Sequence, residues 1–236
     1  MTAAGERLLL GEVPALMVRP ADGATPLPTV IWFHGLGADK ALHLPELQRF
    51  ADAGLLAVGV DAVGHGERRL PDFEQRFSRS PGESSDLFNS LVAQTVAELP
   101  GLIDALVARG LSDGERIAVA GVSMGGCIVY GAISVDRRVR AAVAVLGSPA
   151  WLQLSEANFP GARFFPTALL SITAEQDSVV PPAAARALHD KLAPYYRQEP
   201  DRLGYRVIAG ESHFMQAAEW DSAIGQAGVW LGRFVS

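Results

Sequence analysis

Three residues in this chain have types and positions suited to one chemistry: Ser123, Asp177 and His213. Ser123 stands in Gly121-Val122-Ser123-Met124-Gly125, after the apolar run 116–120 and ahead of the apolar stretch 127–133. The first run reads as a short buried strand and the second as a buried helix. A serine at a strand–turn–helix corner is the setting a G-x-S-x-G motif requires. The glycines have a steric reason. The serine needs a strained backbone to expose its hydroxyl, and side chains two positions either side would collide where strand and helix cross. The helix N-terminus also turns N–H groups towards the space beside the hydroxyl, where an oxyanion would form. A serine hydroxyl is a weak nucleophile until a base takes its proton, and histidine titrates close enough to neutrality to do so. An acid then fixes the imidazole's tautomer and stabilises the imidazolium. His213 fits the base and Asp177 the acid, giving acyl transfer as the candidate chemistry.

The elements that must position these residues alternate between strand and helix. Residues 6–19 alternate loosely and suggest an antiparallel hairpin at a sheet edge. Buried strands are expected at 28–33, 55–61, 116–120, 139–148, 167–174 and 205–208, with helices near 43–53, 84–109, 127–133, 182–192 and 214–235. Pro100-Gly101 is expected to kink or split the long helix at 84–109. This pattern predicts an α/β fold, a mostly parallel sheet with helices on both faces, in one domain over 1–236. Segments 67–90 and 149–166 read as minor caps, the former charged and irregular up to residue 83. In an open parallel sheet, ligands bind beyond the carboxyl ends of the strands. His34-Gly35, Asp61, Ser123, Asp177 and His213 all fall at such ends.

The bulk properties narrow the partners. With 236 residues and 49% apolar content the chain can bury a substantial core. A net charge of −6 and the absence of any lysine/arginine run argue against nucleic acid and anionic membranes as partners. No apolar segment is expected to approach the ~20 residues of a membrane span. Residues 1–7 lack a basic segment followed by an apolar one, so no secretory signal and a cytoplasmic location are expected. The single cysteine, Cys127, excludes an internal disulfide and reads as helix packing. No metal constellation and no glycine-rich phosphate loop after the first buried strand is visible, so neither metal nor cofactor is expected.

The chain order Ser123, Asp177, His213 is that of one fold family. Together with His34-Gly35, the stretch 61–66 (Asp-Ala-Val-Gly-His-Gly), 121–126, Asp177-Ser178-Val179-Val180-Pro181 and Ser212-His213, it resembles the α/β-hydrolase superfamily over essentially the whole length. The compact build resembles the small bacterial serine esterases of the dienelactone-hydrolase-like and prolyl-oligopeptidase-like group. That resemblance implies cleavage of a small-molecule carboxylic ester through an acyl-enzyme on Ser123. A serine in place of the cysteine of dienelactone hydrolases shifts the expectation towards esters. Ser123 also argues against the dehalogenases and epoxide hydrolases of the superfamily, which carry an aspartate there. Thioesterase, peptidase, acyltransferase and cofactor-free haloperoxidase readings keep the same triad, and a non-catalytic binding module has no need of a strained serine. The oxyanion donors implied are the N–H groups of Leu36 and Met124. His34 and Gly35 are expected to support that loop, Asp61 to bond backbone in its turn, and His65 to act structurally or line the pocket. Of the remaining histidines, His189 is expected on a helix surface. Trp151 and Phe159, in the slight cap at 149–166, are expected to line the pocket and to favour short, uncharged acyl groups.

Overall fold

Leu27–Phe33 forms a strand (β3) buried at every residue, the pattern of a strand with helices over both faces of its sheet. The computed structural model, which describes residues 5–154 and 159–235, places it inside an eight-stranded sheet. The expectations that fall on residues 1–4 and 155–158 lie outside the described residues. Parallel to β3 run β4 (Leu56–Val60) on one side and β5 (Ser112–Val122) on the other. Beyond β5 follow β6 (Val139–Val145), β7 (Ala168–Ala174) and β8 (Leu203–Ile208), again parallel. Beyond β4 lie β2 (Val13–Val18) and β1 (Glu6–Leu10), the antiparallel edge hairpin. The order is thus β1-β2-β4-β3-β5-β6-β7-β8.

Successive strand side chains point to opposite faces, so each strand feeds two cores. Ile31, Val58 and Val119 pack with α3 (Pro81–Ala108), α4 (Met124–Val135) and α6 (Ala183–Leu192). Val30, Trp32 and Ala118 pack with α1 (Leu44–Asp52) and a carboxy-terminal helix, Ala217–Val235. The latter is α7, since two short helices, α2 (Phe73–Phe77) and α5 (Gly161–Phe164), belong to the segments expected as caps. The stretch 67–83 is therefore more ordered than its charge suggests. Its end is an N-cap: Ser80 Oγ accepts from Glu83 N–H and donates to the Glu83 carboxylate, starting α3 at Pro81.

Two expectations about helices are corrected. Pro100 lies inside α3 without splitting it. That helix is also long and apolar enough, by length and composition, to cross a membrane. Its apolar residues face the protein, Leu91, Val92, Val96, Leu99, Leu102 and Ile103 all being buried against the sheet and α4.

His189, expected on a helix surface, is buried on α6 and hydrogen-bonds Ser171 Oγ on β7 at 2.8 Å. Tyr130 of α4 meets the same hydroxyl at 2.7 Å, forming a polar chain inside the core. Burial pushes the His189 pKa down to about 4, and burial does the same to His34. Both are neutral in the folded protein, whereas the unfolded chain takes up protons below its ordinary pKa of about 6.5. Stability is therefore complete above that value and falls as the pH drops from about 6.5 towards 4. The loss is on the order of 3 kcal/mol for each histidine. Urea unfolding of the native protein and of His189→Gln across this range should show a shallower acid slope in the variant. Identical slopes would contradict the assignment.

Candidate active site

The junction of β5 and α4 is the first part of the site. Ser123 follows β5 directly and takes φ 55° and ψ −114°, a strained conformation for a residue with a side chain. Its N–H donates to the Val145 carbonyl at 2.9 Å, tying the corner to β6. A Cβ on Gly125 would run into the Phe33 carbonyl, and one on Gly121 would lie 2.6 Å from the Gly125 carbonyl carbon. The glycines two positions either side of the serine are therefore required by the crossing of strand and helix.

Asp177 lies in the loop after β7 and His213 in the loop after β8. These loops are tied to each other, Gln176 N–H donating to the Glu211 carbonyl at 2.8 Å and Gly210 N–H to the Glu175 carboxylate at 2.8 Å. Across the join, His213 Nδ1 lies 2.7 Å from Asp177 Oδ2 and Nε2 lies 2.9 Å from Ser123 Oγ. The other Asp177 oxygen accepts the N–H groups of Val179 and Val180 at 2.9 and 2.7 Å, which fixes the carboxylate's plane. With Asp177 as acceptor, Nδ1 of His213 carries the proton and Nε2 turns a lone pair to the serine hydroxyl.

Leu36 follows Gly35, and one peptide unit joins the Gly35 carbonyl to the Leu36 N–H. His34 fixes that unit. Its Nε2 accepts the Ala62 N–H at 3.0 Å, so its Nδ1 must donate to the Gly35 carbonyl at 2.8 Å. With the carbonyl held on one side, the N–H is directed the other way. Met124 is the first residue of α4, where N–H groups have no partner within the helix. His34 and His65 are fully buried beneath the loops and do not line the cavity above Ser123. His65 packs at a tilt against His34 and edge-on against Phe73, with ring centroids 5.2 and 4.9 Å away.

Asp61 accepts hydrogen bonds from its turn, as expected, and from one group the sequence did not flag. Lys40, in a short 3-10 turn after the Leu36 loop, is buried and its Nζ lies 2.7 Å from Asp61 and 2.6 Å from Glu67. The N–H groups of Lys40 and Glu67 also donate to Asp61, at 3.0 and 2.9 Å. Burial acts to raise the Asp61 pKa, but these bonds outweigh it and leave the carboxyl below its ordinary range. This buried pair clasps the loop after β4 to the loop after β3.

Above Ser123 opens a cavity of about 930 Å3. Gly35 and Trp151 line it as expected, with Phe77 and Phe88 from the α2–α3 segment. Trp151 is anchored by its Nε1–H, which donates to the Cys127 carbonyl at 2.8 Å. Phe159 does not reach this cavity. It leans on Tyr195 and lines a neighbouring depression of about 240 Å3 beside Leu188 and Lys191. Residues not anticipated as lining include Leu42, Phe214, Met215 and Trp220. Among the described residues, no lysine, arginine, aspartate or glutamate side chain forms part of the wall. Cys127 lies in helix packing and touches the cavity, and burial pushes its thiol up to about 11, which disfavours the thiolate.

Comparison with known proteins follows the same lines. A family model described as "Alpha/beta hydrolase family" matches residues 30–232. A Bacillus subtilis (strain 168) protein named "Putative esterase YitV" is 26% identical over 232 residues, spanning 85% of this chain and 88% of that protein. "Esterase YjfP" of Escherichia coli (strain K12) is 28% identical over 152 residues, spanning 64% of this chain and 58% of the relative. Among solved structures, TT1662 from Thermus thermophilus superposes with a TM-score of 0.76 at 25% identity, covering 98% of this chain and 99% of that one.

Proposed function

The chain belongs to the alpha/beta hydrolase family, and from that premise we propose that it is a carboxylesterase-type serine hydrolase in which Ser123, His213 and Asp177 form the catalytic triad. The observation that carries the reading is the unbroken series of hydrogen bonds from Asp177 through His213 to Ser123. The names of the YitV and YjfP relatives support it. The whole of 1–236 is taken as one catalytic domain, because the sheet draws strands from Glu6 to Ile208.

In this reading His213 Nε2 takes the hydroxyl proton as Ser123 Oγ attacks the ester carbonyl carbon. The N–H groups of Leu36 and Met124 receive the developing oxyanion. The tetrahedral adduct collapses as His213 passes the proton to the departing alcohol. Water, deprotonated by His213, then attacks the acyl-enzyme and releases the acid with Ser123 restored. The substrate is an uncharged small-molecule ester, since the described wall offers no charged side chain to pair with an ion. A fluorophosphonate probe tests the assembly. It should form an adduct on Ser123 under native conditions and none on Ser123→Ala; no adduct on the native protein would overturn the reading.

Short acyl groups are the proposed preference, on the slightness of the cap. Cavity volume pulls the other way, standing near the upper end of the ~300–1,000 Å3 common for ligand sites. A series of p-nitrophenyl esters separates the two. Turnover highest on acetate or butyrate supports the cap argument, and a maximum at octanoate or beyond overturns it.

A further inference from the structure

One stretch of the cavity wall carries a polar arrangement that the triad does not use. His43, 7% exposed, lines the cavity, and its Nδ1 lies 3.3 Å from Glu46 Oε2 one turn along. The other Glu46 oxygen accepts from Trp220 Nε1 of α7 at 2.7 Å. Trp32 braces the imidazole from behind, with ring centroids 5.3 Å apart. Glu46 is itself buried behind His43 and Trp220 and forms no part of the wall. Burial acts to raise its pKa, but the bonds from His43 and Trp220 outweigh it and the carboxyl lies below its ordinary range.

The hydrogen-bond directions follow from this. An ionised Glu46 can only accept, so Nδ1 of His43 donates to it, and in the neutral imidazole Nε2 then presents a lone pair. That nitrogen makes no hydrogen bond among the described residues, and with Nδ1 turned to Glu46 it is the ring edge left for the cavity. Leu42, Met215 and Trp220 line the same cavity and offer a ligand mainly apolar surface. No lysine or arginine among the described residues pairs with Glu46, so the dyad's charge favours a donor. Ser84, Ser85, Asn89, Ser148 and Gln153 also line the cavity, but outside the triad His43 is the lining acceptor backed by a buried carboxylate, and a ligand that leaves it unpaired is penalised.

We propose that His43 is a specificity-determining acceptor, oriented by Glu46, that selects esters bearing a hydrogen-bond donor, in the simplest case a hydroxyl, away from the scissile carbonyl. The proposal rests on the reading of Ser123 as nucleophile. Paired substrates test it. p-Nitrophenyl 3-hydroxybutyrate against p-nitrophenyl butyrate places the hydroxyl in the acyl half, and glyceryl monobutyrate against propyl butyrate places it in the alcohol half. At least one pair should favour the hydroxyl ester by about tenfold in kcat/KM, and the arm that does so identifies the half facing His43. In His43→Phe that ratio should shrink to about unity. Glu46→Gln, which frees the imidazole to exchange tautomers, should lower it as well and serves where the phenylalanine variant does not fold against Trp32. Ratios within twofold of unity for both pairs in the native protein, or a preference that persists in both variants, would overturn the assignment. Calorimetric Kd values for the same pairs on Ser123→Ala give the same decision without turnover. Hydrolysis that does not depend on Ser123 would sink the esterase reading; equal Kd values within each pair would sink His43.

Discussion

Replacing Ser123 by alanine should lower kcat on a short p-nitrophenyl ester by about 10⁶, the usual scale for removing the nucleophile of a serine triad. His213 Nε2 is hydrogen-bonded to Ser123, and Cys127, the single cysteine, is buried with its pKa pushed up to about 11. Asp177→Asn should cost less, about 10⁴, by a different route. Val179 and Val180 hold one carboxylate oxygen through their N–H groups, so an asparagine carbonyl keeps that position. Its amide group then faces His213 as a donor, forces the proton onto Nε2 and removes the lone pair Ser123 needs. Combining the two substitutions should cost no more than Ser123→Ala alone, because the residues act as a unit. Circular dichroism and steady-state kinetics on the three variants check this. Activity above about a hundredth of native in Ser123→Ala would remove the serine from the chemistry.

The site was legible where chemistry and topology agree. Ser123, Asp177 and His213 each follow an apolar run, and a parallel sheet brings all such ends to one rim. The glycines around Ser123 carried the same information in steric form. His189 was readable and misread. Ala185, Leu188, His189 and Leu192 are spaced as one buried face, and the polarity of an imidazole obscured the period. Its partner, Ser171, is 18 residues away in a strand. Lys40 shows the limit more sharply. A lysine between a glycine-rich loop and a helix reads as solvated, since lysine is almost never buried unpaired. Its pairing with Asp61 depends on β3 and β4 lying side by side, a fact of the sheet and not of either segment. Phe159 failed for a related reason. An aromatic ring in a connecting segment can turn to either of two neighbouring hollows, and only packing against Tyr195 decides.

Asp61→Ala should destabilise the protein by about 3–5 kcal/mol, the range for breaking a buried ion pair by removing one partner. The N–H groups of Lys40 and Glu67 lose their side-chain acceptor at once, and the Lys40 ammonium is left with Glu67 alone. Glu67 already pairs with the ammonium at 2.6 Å, but its side chain is 54% exposed, so water screens that pair more than the buried one with Asp61. Lys40→Met should cost less than Asp61→Ala, since the remaining carboxylate keeps two amide donors and the methionine stem fills the same space. The effect should also reach catalysis. Lys40 follows the loop that carries Leu36, and Arg68, itself paired with Glu98, donates to the Asp61 carbonyl. A loosened loop would misplace the Leu36 N–H proposed as an oxyanion donor, so kcat should fall while KM for a small ester changes little. Urea midpoints with unchanged m-values would report the stability term, and kinetics at a denaturant-free temperature well below melting would report the other. An Asp61→Ala protein within 1 kcal/mol of native stability would show that the clasp is not what joins these two loops.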